Sequence, residues 1–314
     1  MSWQPSASLE RLAQRAAINR QIRTFFDDRG VMEVELPVLG RAPVTDPFIE
    51  PIRARCNGAT RYLQTSPEYA MKRLLAAGSG PIYSLGKAFR DGESGRRHNP
   101  EFTLLEWYRP GWDDTRLMDE VAELVGHLHP GVVVTRLRYR DWFVEHLGID
   151  PHRATGAELA AVGRAHVEID LDESDRDAWM DLLVTHVLEP RLPEGLVLVS
   201  DYPASQAALA RIVPDPTGQP VARRFEAFLN RMELANGYWE LTDAEEQRQR
   251  FETDLAKREG YGLPQYPIDE SLLAALTAGM PACAGVALGV DRLLMTLLKA
   301  EGIADVLSFD TERA

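Results

Sequence analysis

Three groups of side chains in this 314-residue chain have types and spacings that could do chemistry. The first lies in "GKAFRDGESGRRHNPEFTLLEWYRPG", Gly86 to Gly111, where two apolar pieces flank a loop carrying Arg90, Asp91, Gly92, Glu93, Arg96, Arg97, His98 and Asn99. A solvated hairpin tip accounts for the charge in the middle. It does not account for Arg90, Glu101 and Glu106, which sit inside the apolar pieces. A strand-borne arginine is costly to bury unless it meets an anion, and its planar fork matches carboxylate or phosphate oxygens in pairs. Phe102 and His98 offer flat surfaces on which a base can stack. A structural network pairing Arg90 with Glu101 or Glu106 fits the residue types equally well.

The second group is Glu226, Glu233 and Glu240, spaced seven and seven. On a helix this would be a solvated acidic stripe. The residues between them, Phe225, Phe228, Tyr238 and Trp239, favour strands, and Asn236-Gly237 reads as a hairpin turn. Inward carboxylates on adjacent strands repel unless a cation lies between them, and magnesium, held by one or two carboxylates plus phosphate oxygens, suits that place. The third acid could face a substrate ammonium. The third group is "GVALGVDRLL": small residues at Gly285, Ala287 and Gly289 admit a close approach to the backbone, and Arg292 opens a helix, where it strengthens an anion site. Tight strand–helix packing needs the same small residues. The combination of strand-borne arginines, inward acids and an aromatic floor describes a triphosphate pocket with a metal clamp.

These groups must be positioned by a sizeable fold. A hydrophobic content of 45% supports a large core, and 35 basic against 48 acidic residues, net −13, argue against a surface made for non-specific nucleic-acid binding. Cys56 and Cys283 lie far apart and suggest two reduced core thiols, and no stretch approaches a membrane span, so a soluble cytoplasmic chain is expected. Ser8 to Arg29 has helical periodicity, stopped by Gly30. "VMEVELPVL" alternates as a strand up to Pro37. "TRYLQTSPEYAMKRLLAAG" reads as strand, turn and a helix with Pro67 at its first position, and "GLVLVSDYP" as a buried strand. The expected fold is a single α+β domain with a mainly antiparallel sheet flanked by helices.

Taken together, the motifs resemble the catalytic domain of class II aminoacyl-tRNA synthetases, most closely the lysine enzyme, over nearly the whole chain. "VMEVELPVL" is similar to motif 1 of that family, "FRDGESGRRHNPEFTLLEWY" to motif 2, "GVALGVDRLLM" to motif 3, and "FLNRMELANGYWEL" to the segment that binds metal and the amino-acid side chain. The resemblance implies ATP and Mg2+. It gives Arg90 the α-phosphate and the amino-acid carboxylate, Arg292 the γ-phosphate, and both a catalytic role. Phe102 would stack on adenine, with Asp91, Gly92, Glu93, His98, Asn99, Glu233, Leu234 and Gly289 also at the nucleotide. Glu226 and Glu233 would carry the metal. Ser66, Pro67, Glu68, Tyr108, Asn236, Glu240 and Ala287 would line the amino-acid side, with Tyr108 and Glu240 at a distal ammonium and Glu68 at the proximal amine. A homodimer formed through motif 1 is implied as well.

Three departures narrow this. Only 36 residues precede Pro37, too few for the anticodon-reading OB-fold of the lysine enzyme. Glu93 comes one residue later than the glutamate of motif 2 usually does. Ala287 stands where lysine enzymes have glycine, a methyl worth ~1–3 kcal/mol of discrimination. These features, with "YPASQAALAR" and its Ser205 and Gln206, resemble the short bacterial paralogs that ligate (R)-β-lysine to a lysine of translation elongation factor P. No tRNA partner is expected on that reading. A stand-alone lysine tRNA-charging core and a non-catalytic regulatory paralog are the alternatives.

Overall fold

Ser8 starts the first helix: its Oγ accepts the backbone N–H of Arg11 at 3.2 Å, satisfying one of the donors that a helix start leaves unpaired. In a computed structural model, which describes residues 3–169, 172 and 174–314, this helix, α1, spans Leu9–Asp27 and buries Ile22, Phe25 and Phe26. Gly30, at φ +63°, ends the run. The chain divides into two compact units, Met1–Trp112 with Leu241–Ala314, and Asp113–Glu240.

In the first unit, the segment expected to be one strand is instead two short ones, β1 (Met32–Glu33) and β2 (Leu39–Gly40). Pro37 between them has no N–H for a ladder, and the chain changes sheets there. β2 joins β3 (Arg53–Cys56) and β4 (Ala59–Leu63) in a small antiparallel sheet of order β2-β4-β3. α2 (Glu68–Ala76) follows, with Pro67 as its cap residue, one place earlier than expected. The two apolar pieces around the charged loop are β5 (Ile82–Phe89) and β6 (Glu101–Pro110), an antiparallel pair, and β1 runs parallel to β5. Phe26 of α1 stacks on Tyr83 at 4.6 Å and meets Trp107 edge-on at 5.3 Å, which fixes the helix against these strands.

The second unit begins with α3 (Asp114–Leu128), then β7 (Val134–Arg138), α4 (Tyr139–Leu147), α5 (Gly156–Arg164) and α6 (Arg176–Leu183). β8 (Leu196–Pro203) is the buried strand expected from "GLVLVSDYP". β9 (Ile212–Pro214), β10 (Pro220–Leu229) and β11 (Met232–Trp239) complete a sheet of order β11-β10-β8-β7, with β9 also on β10; only β7 and β8 are parallel. The β10–β11 hairpin turns at Asn230 and Arg231, both at positive φ, 50° and 66°. It does not turn at Asn236-Gly237, which lies inside β11, Gly237 facing Phe225 across the ladder. Glycine inside a strand is a use that a turn signal does not distinguish.

The chain then returns to the first unit through α7 (Ala244–Gly260), α8 (Glu270–Gly279), β12 (Cys283–Gly289) and α9 (Val290–Leu297). β12 pairs antiparallel with β6, so the sheet of this unit runs β1-β5-β6-β12. The architecture is α+β with mainly antiparallel pairing, as expected. No helix among the described residues is long and apolar enough to cross a membrane.

Packing in the second unit gives a test of sign. Gly163 lies in α5, where alanine ordinarily stabilises a helix by up to about 1 kcal/mol. A Cβ there would stand 2.5 Å from two ring carbons of Trp179, a fully buried residue. Gly163→Ala should therefore lower stability by about 1–3 kcal/mol, the usual cost of overpacking, measured by denaturant unfolding. An increase would show that the ring has room to yield.

Candidate active site

The first unit brings together most of the residues expected at the nucleotide. Arg90 follows the last residue of β5, and its guanidinium carbon lies 5.1 Å from the centroid of Phe102. Its protein partners are at the long end of hydrogen bonding: Thr65 O at 3.4 Å and Glu93 Oε1 at 3.4 Å. The fork is thus held in place yet weakly committed. Glu93, one place late in the motif, turns back onto Arg90. Gly92 takes φ +77°, and its N–H donates to Asp91 Oδ1.

Arg292 sits in the first turn of α9, whose cap residue is Gly289. Its Nη2 lies 2.6 Å from Nε2 of His98. A guanidinium only donates, so His98 accepts, which requires a neutral ring with its proton on Nδ1. Asn99, expected beside the nucleotide, spends its side-chain amide on the protein: Nδ2 donates to Glu101 O, and Oδ1 accepts from the N–H and hydroxyl of Thr311.

The amino-acid side of this unit holds a residue left out of the expected set. Residues 102, 104, 106 and 108 share one face of β6, and Glu106 on that face is only 1% exposed. Ser66 Oγ donates to its Oε2 and Tyr108 OH to its Oε1, each at 2.7 Å. Ser66 Oγ also accepts the N–H of Glu68, and Glu68 pairs at 2.6 Å with buried Lys72 one turn along α2. Burial, and then the charge of Glu68, push the Glu106 carboxyl up to about 8, against the pull of the two hydroxyls and Lys72. Ala287 faces Glu106 directly across the β6–β12 ladder, so its methyl borders this carboxyl. A lone acid inside "FTLLEWY" was the signal available in the sequence.

In the second unit, Glu226 on β10 faces Asn236 on β11, and a bulge after Ala227 brings Glu233 opposite Phe228. Arg224 gathers this group: Nη2 bonds Glu226 Oε1 at 2.5 Å, Nε bonds Asn236 Oδ1 at 3.3 Å and Nη1 bonds Gln206 O at 2.9 Å. Gln206 in turn donates to Asp181, and Ser205 to Asp177. Burial pushes Glu226 up, Arg224 opposes this, and the charge of Glu233 adds to it. Two mutually repelling carboxylates suit a hard divalent cation that completes its shell with phosphate and water, and the donor set fits magnesium. Leu234 and Glu240 are buried in the same unit.

The behaviour of Glu106 is measurable. Neutral in the folded, unliganded chain up to about pH 8, it ionises near its ordinary value of 4.5 once unfolded. The folded state then binds the extra proton between these values, so stability falls as pH rises through that window. Glu106→Gln removes this dependence. Its stability relative to the unsubstituted chain should rise from pH 5 to 8, by up to about 1.4 kcal/mol per pH unit, in thermal or urea unfolding. A pH-independent difference would show that Glu106 is already ionised.

A family model described as "tRNA synthetases class II (D, K and N)" matches residues 1–313. A protein of Pectobacterium atrosepticum named "Elongation factor P--(R)-beta-lysine ligase" is 51% identical over 322 residues, covering 100% of this chain and 98% of its own length. Proteins of the same name from Salmonella typhi and Yersinia enterocolitica are each 50% identical over 325 residues, with the same coverage. With the strand-flanked Arg90, the helix-opening Arg292 and the acids of β10 and β11 in place, the chain belongs to the class II tRNA synthetase family of the aspartate, lysine and asparagine type.

Proposed function

We propose that the chain is an ATP-dependent, AMP-forming ligase that activates (R)-β-lysine as an aminoacyl-adenylate and transfers it to a lysine side chain of translation elongation factor P. Glu106 carries the reading: a carboxyl buried beside Tyr108 and Ser66 and held neutral at rest is a receptor for an incoming ammonium, which would draw it into its ionised form. The relatives at half identity over the full chain, all named for this ligation, support the substrate and the acceptor. The family match over residues 1–313 supports treating both units as one catalytic domain.

In the first step a substrate carboxylate oxygen attacks the α-phosphorus, and pyrophosphate leaves. Negative charge gathers on the phosphoryl oxygens, and fixed cations stabilise it with no covalent enzyme intermediate. Arg90 holds the carboxylate and α-phosphate; its long contacts to Thr65 and Glu93 are readily exchanged for these anions. Arg292 exchanges His98 for the γ-phosphate. Phe102 supports the base. Glu226 and Glu233 would hold Mg2+, which when bound neutralises phosphate charge. Tyr108, Glu106 and Glu240 select a distal ammonium, and Glu68 the proximal amine. In the second step the neutral amine of the acceptor lysine attacks the acyl carbon, an amide forms and AMP leaves with the phosphate oxygen.

The methyl of Ala287, where lysine enzymes have glycine, reshapes the floor of the amino-acid pocket and is the feature that favours a β-amino over an α-amino acid. Exposed Met32, Val38 and Leu39 around motif 1 suit a homodimer face, and a substrate among the translation factors supports a cytoplasmic location. ATP–pyrophosphate exchange with (R)-β-lysine and α-lysine side by side tests the assignment: kcat/KM should favour the β-amino acid by about tenfold or more. A preference for α-lysine would turn the reading to a tRNA-charging core.

A further inference from the structure

Asp291, in the first turn of α9, is 2% exposed and has no role among the expected site residues. Both its oxygens are committed. Oδ2 accepts the backbone N–H of Thr103 at 2.6 Å, and Oδ1 accepts Nη1 of Arg15 at 2.5 Å, from the middle of α1. The same guanidinium donates from Nη1 to Val306 O at 3.0 Å and from Nη2 to Thr103 Oγ1 at 2.7 Å. One buried ion pair thus fastens α1, the start of β6, the start of α9 and the turn at Ile303–Val306.

Two of the four fastened points adjoin residues assigned to ATP. Thr103 follows Phe102, and Asp291 precedes Arg292. Consecutive Cα atoms are 3.8 Å apart across a rigid peptide plane, so fixing the Thr103 N–H fixes the peptide that carries Phe102. Fixing Asp291 likewise sets the first turn of α9, from which Arg292 projects. We infer that Arg15 is a positioning residue for the nucleotide side of the site, holding Phe102 and Arg292 in register with each other through Asp291. The inference rests on the assignment of those two residues to ATP made above.

The charge balance explains why an arginine does this. Without Arg15, Asp291 would keep one backbone donor and an uncompensated buried charge, and it would take up a proton or turn toward water. Either change loosens Thr103 and the start of α9 together. The amino-acid side shares none of these bonds: Glu106, Ser66 and Tyr108 bond one another, and Glu68 pairs with Lys72. A loss of register should therefore be felt by ATP and spare the amino acid. An Arg15–Asp291 pair that merely fastens α1 to the core would instead lower thermal stability and leave both affinities alone, or lower both together.

The test uses the full chain and four proteins: unsubstituted, Arg15→Met, Arg15→Lys and Thr103→Val. MgATP affinity is read by calorimetry, and KM for ATP and for (R)-β-lysine by pyrophosphate exchange. Arg15→Met should weaken MgATP binding about tenfold, with the amino-acid KM within about twofold. Arg15→Lys, which keeps the charge and part of the bonding, should recover a portion of the loss. Thr103→Val, which removes only the Nη2 contact, should lose about threefold. ATP affinity within twofold of the unsubstituted protein in Arg15→Met, or a parallel loss for ATP and amino acid, overturns the inference. If Arg15→Met does not fold, the other two variants decide by the same criteria. Failure of the unsubstituted protein to bind MgATP would overturn the ATP assignment itself, a result separate from equal binding by all four.

Discussion

A buried carboxylate either has a cation of its own or stays neutral until one arrives, and Asp291 and Glu106 of the first unit are one of each. Asp291 has Arg15 at 2.5 Å and is a fixed part of the frame. Glu106 has two hydroxyls, and burial drives it up to about 8. The strand ladder, the aromatic packing of α1 and the placement of Ser66 ahead of α2 all serve to keep that second acid dry and correctly surrounded. On the function proposed, two buried acids thereby take opposite roles, frame and receptor, set by what stands within hydrogen-bonding reach.

The same logic describes the cations. Arg258 is fully buried, and each of its three nitrogens donates within the protein, to Pro264 O, Asp46 O and Glu50, so it belongs to the scaffold. Arg90 and Arg292, both named by the sequence motifs, have partners that a phosphate could replace: a long carboxylate contact in one case and a neutral imidazole in the other. In the second unit Arg224 lies between these extremes, spread over Glu226, Asn236 and a backbone carbonyl. Its charge opposes the upward push that burial and Glu233 exert on Glu226.

Much of this was legible in the chain itself. Periodicity and end signals gave α1, the β5–β6 pair and the β12–α9 passage, because caps, glycine stops and alternation are local. The errors came where a local signal had two uses. Asn236-Gly237 reads as a turn, yet both residues lie inside β11 and the chain turns at Asn230-Arg231. "VMEVELPVL" alternates like a strand, but Pro37 divides it between two sheets. The candidate site rests on motifs, and the residues added to it from the structure lack a motif of their own. Glu106 was visible only as an acid among apolar neighbours. Arg15 and Asp291 stand 276 positions apart, a partnership that no spacing rule can find.

On the function proposed, these charges activate an amino acid for a protein acceptor. Intact-mass measurement of elongation factor P after incubation with the chain, MgATP and (R)-β-lysine tests it most directly. Elongation factor P should gain one β-lysyl group on a lysine side chain, and none without ATP. An unchanged elongation factor P mass, with charging of lysine tRNA under the same conditions, would contradict it.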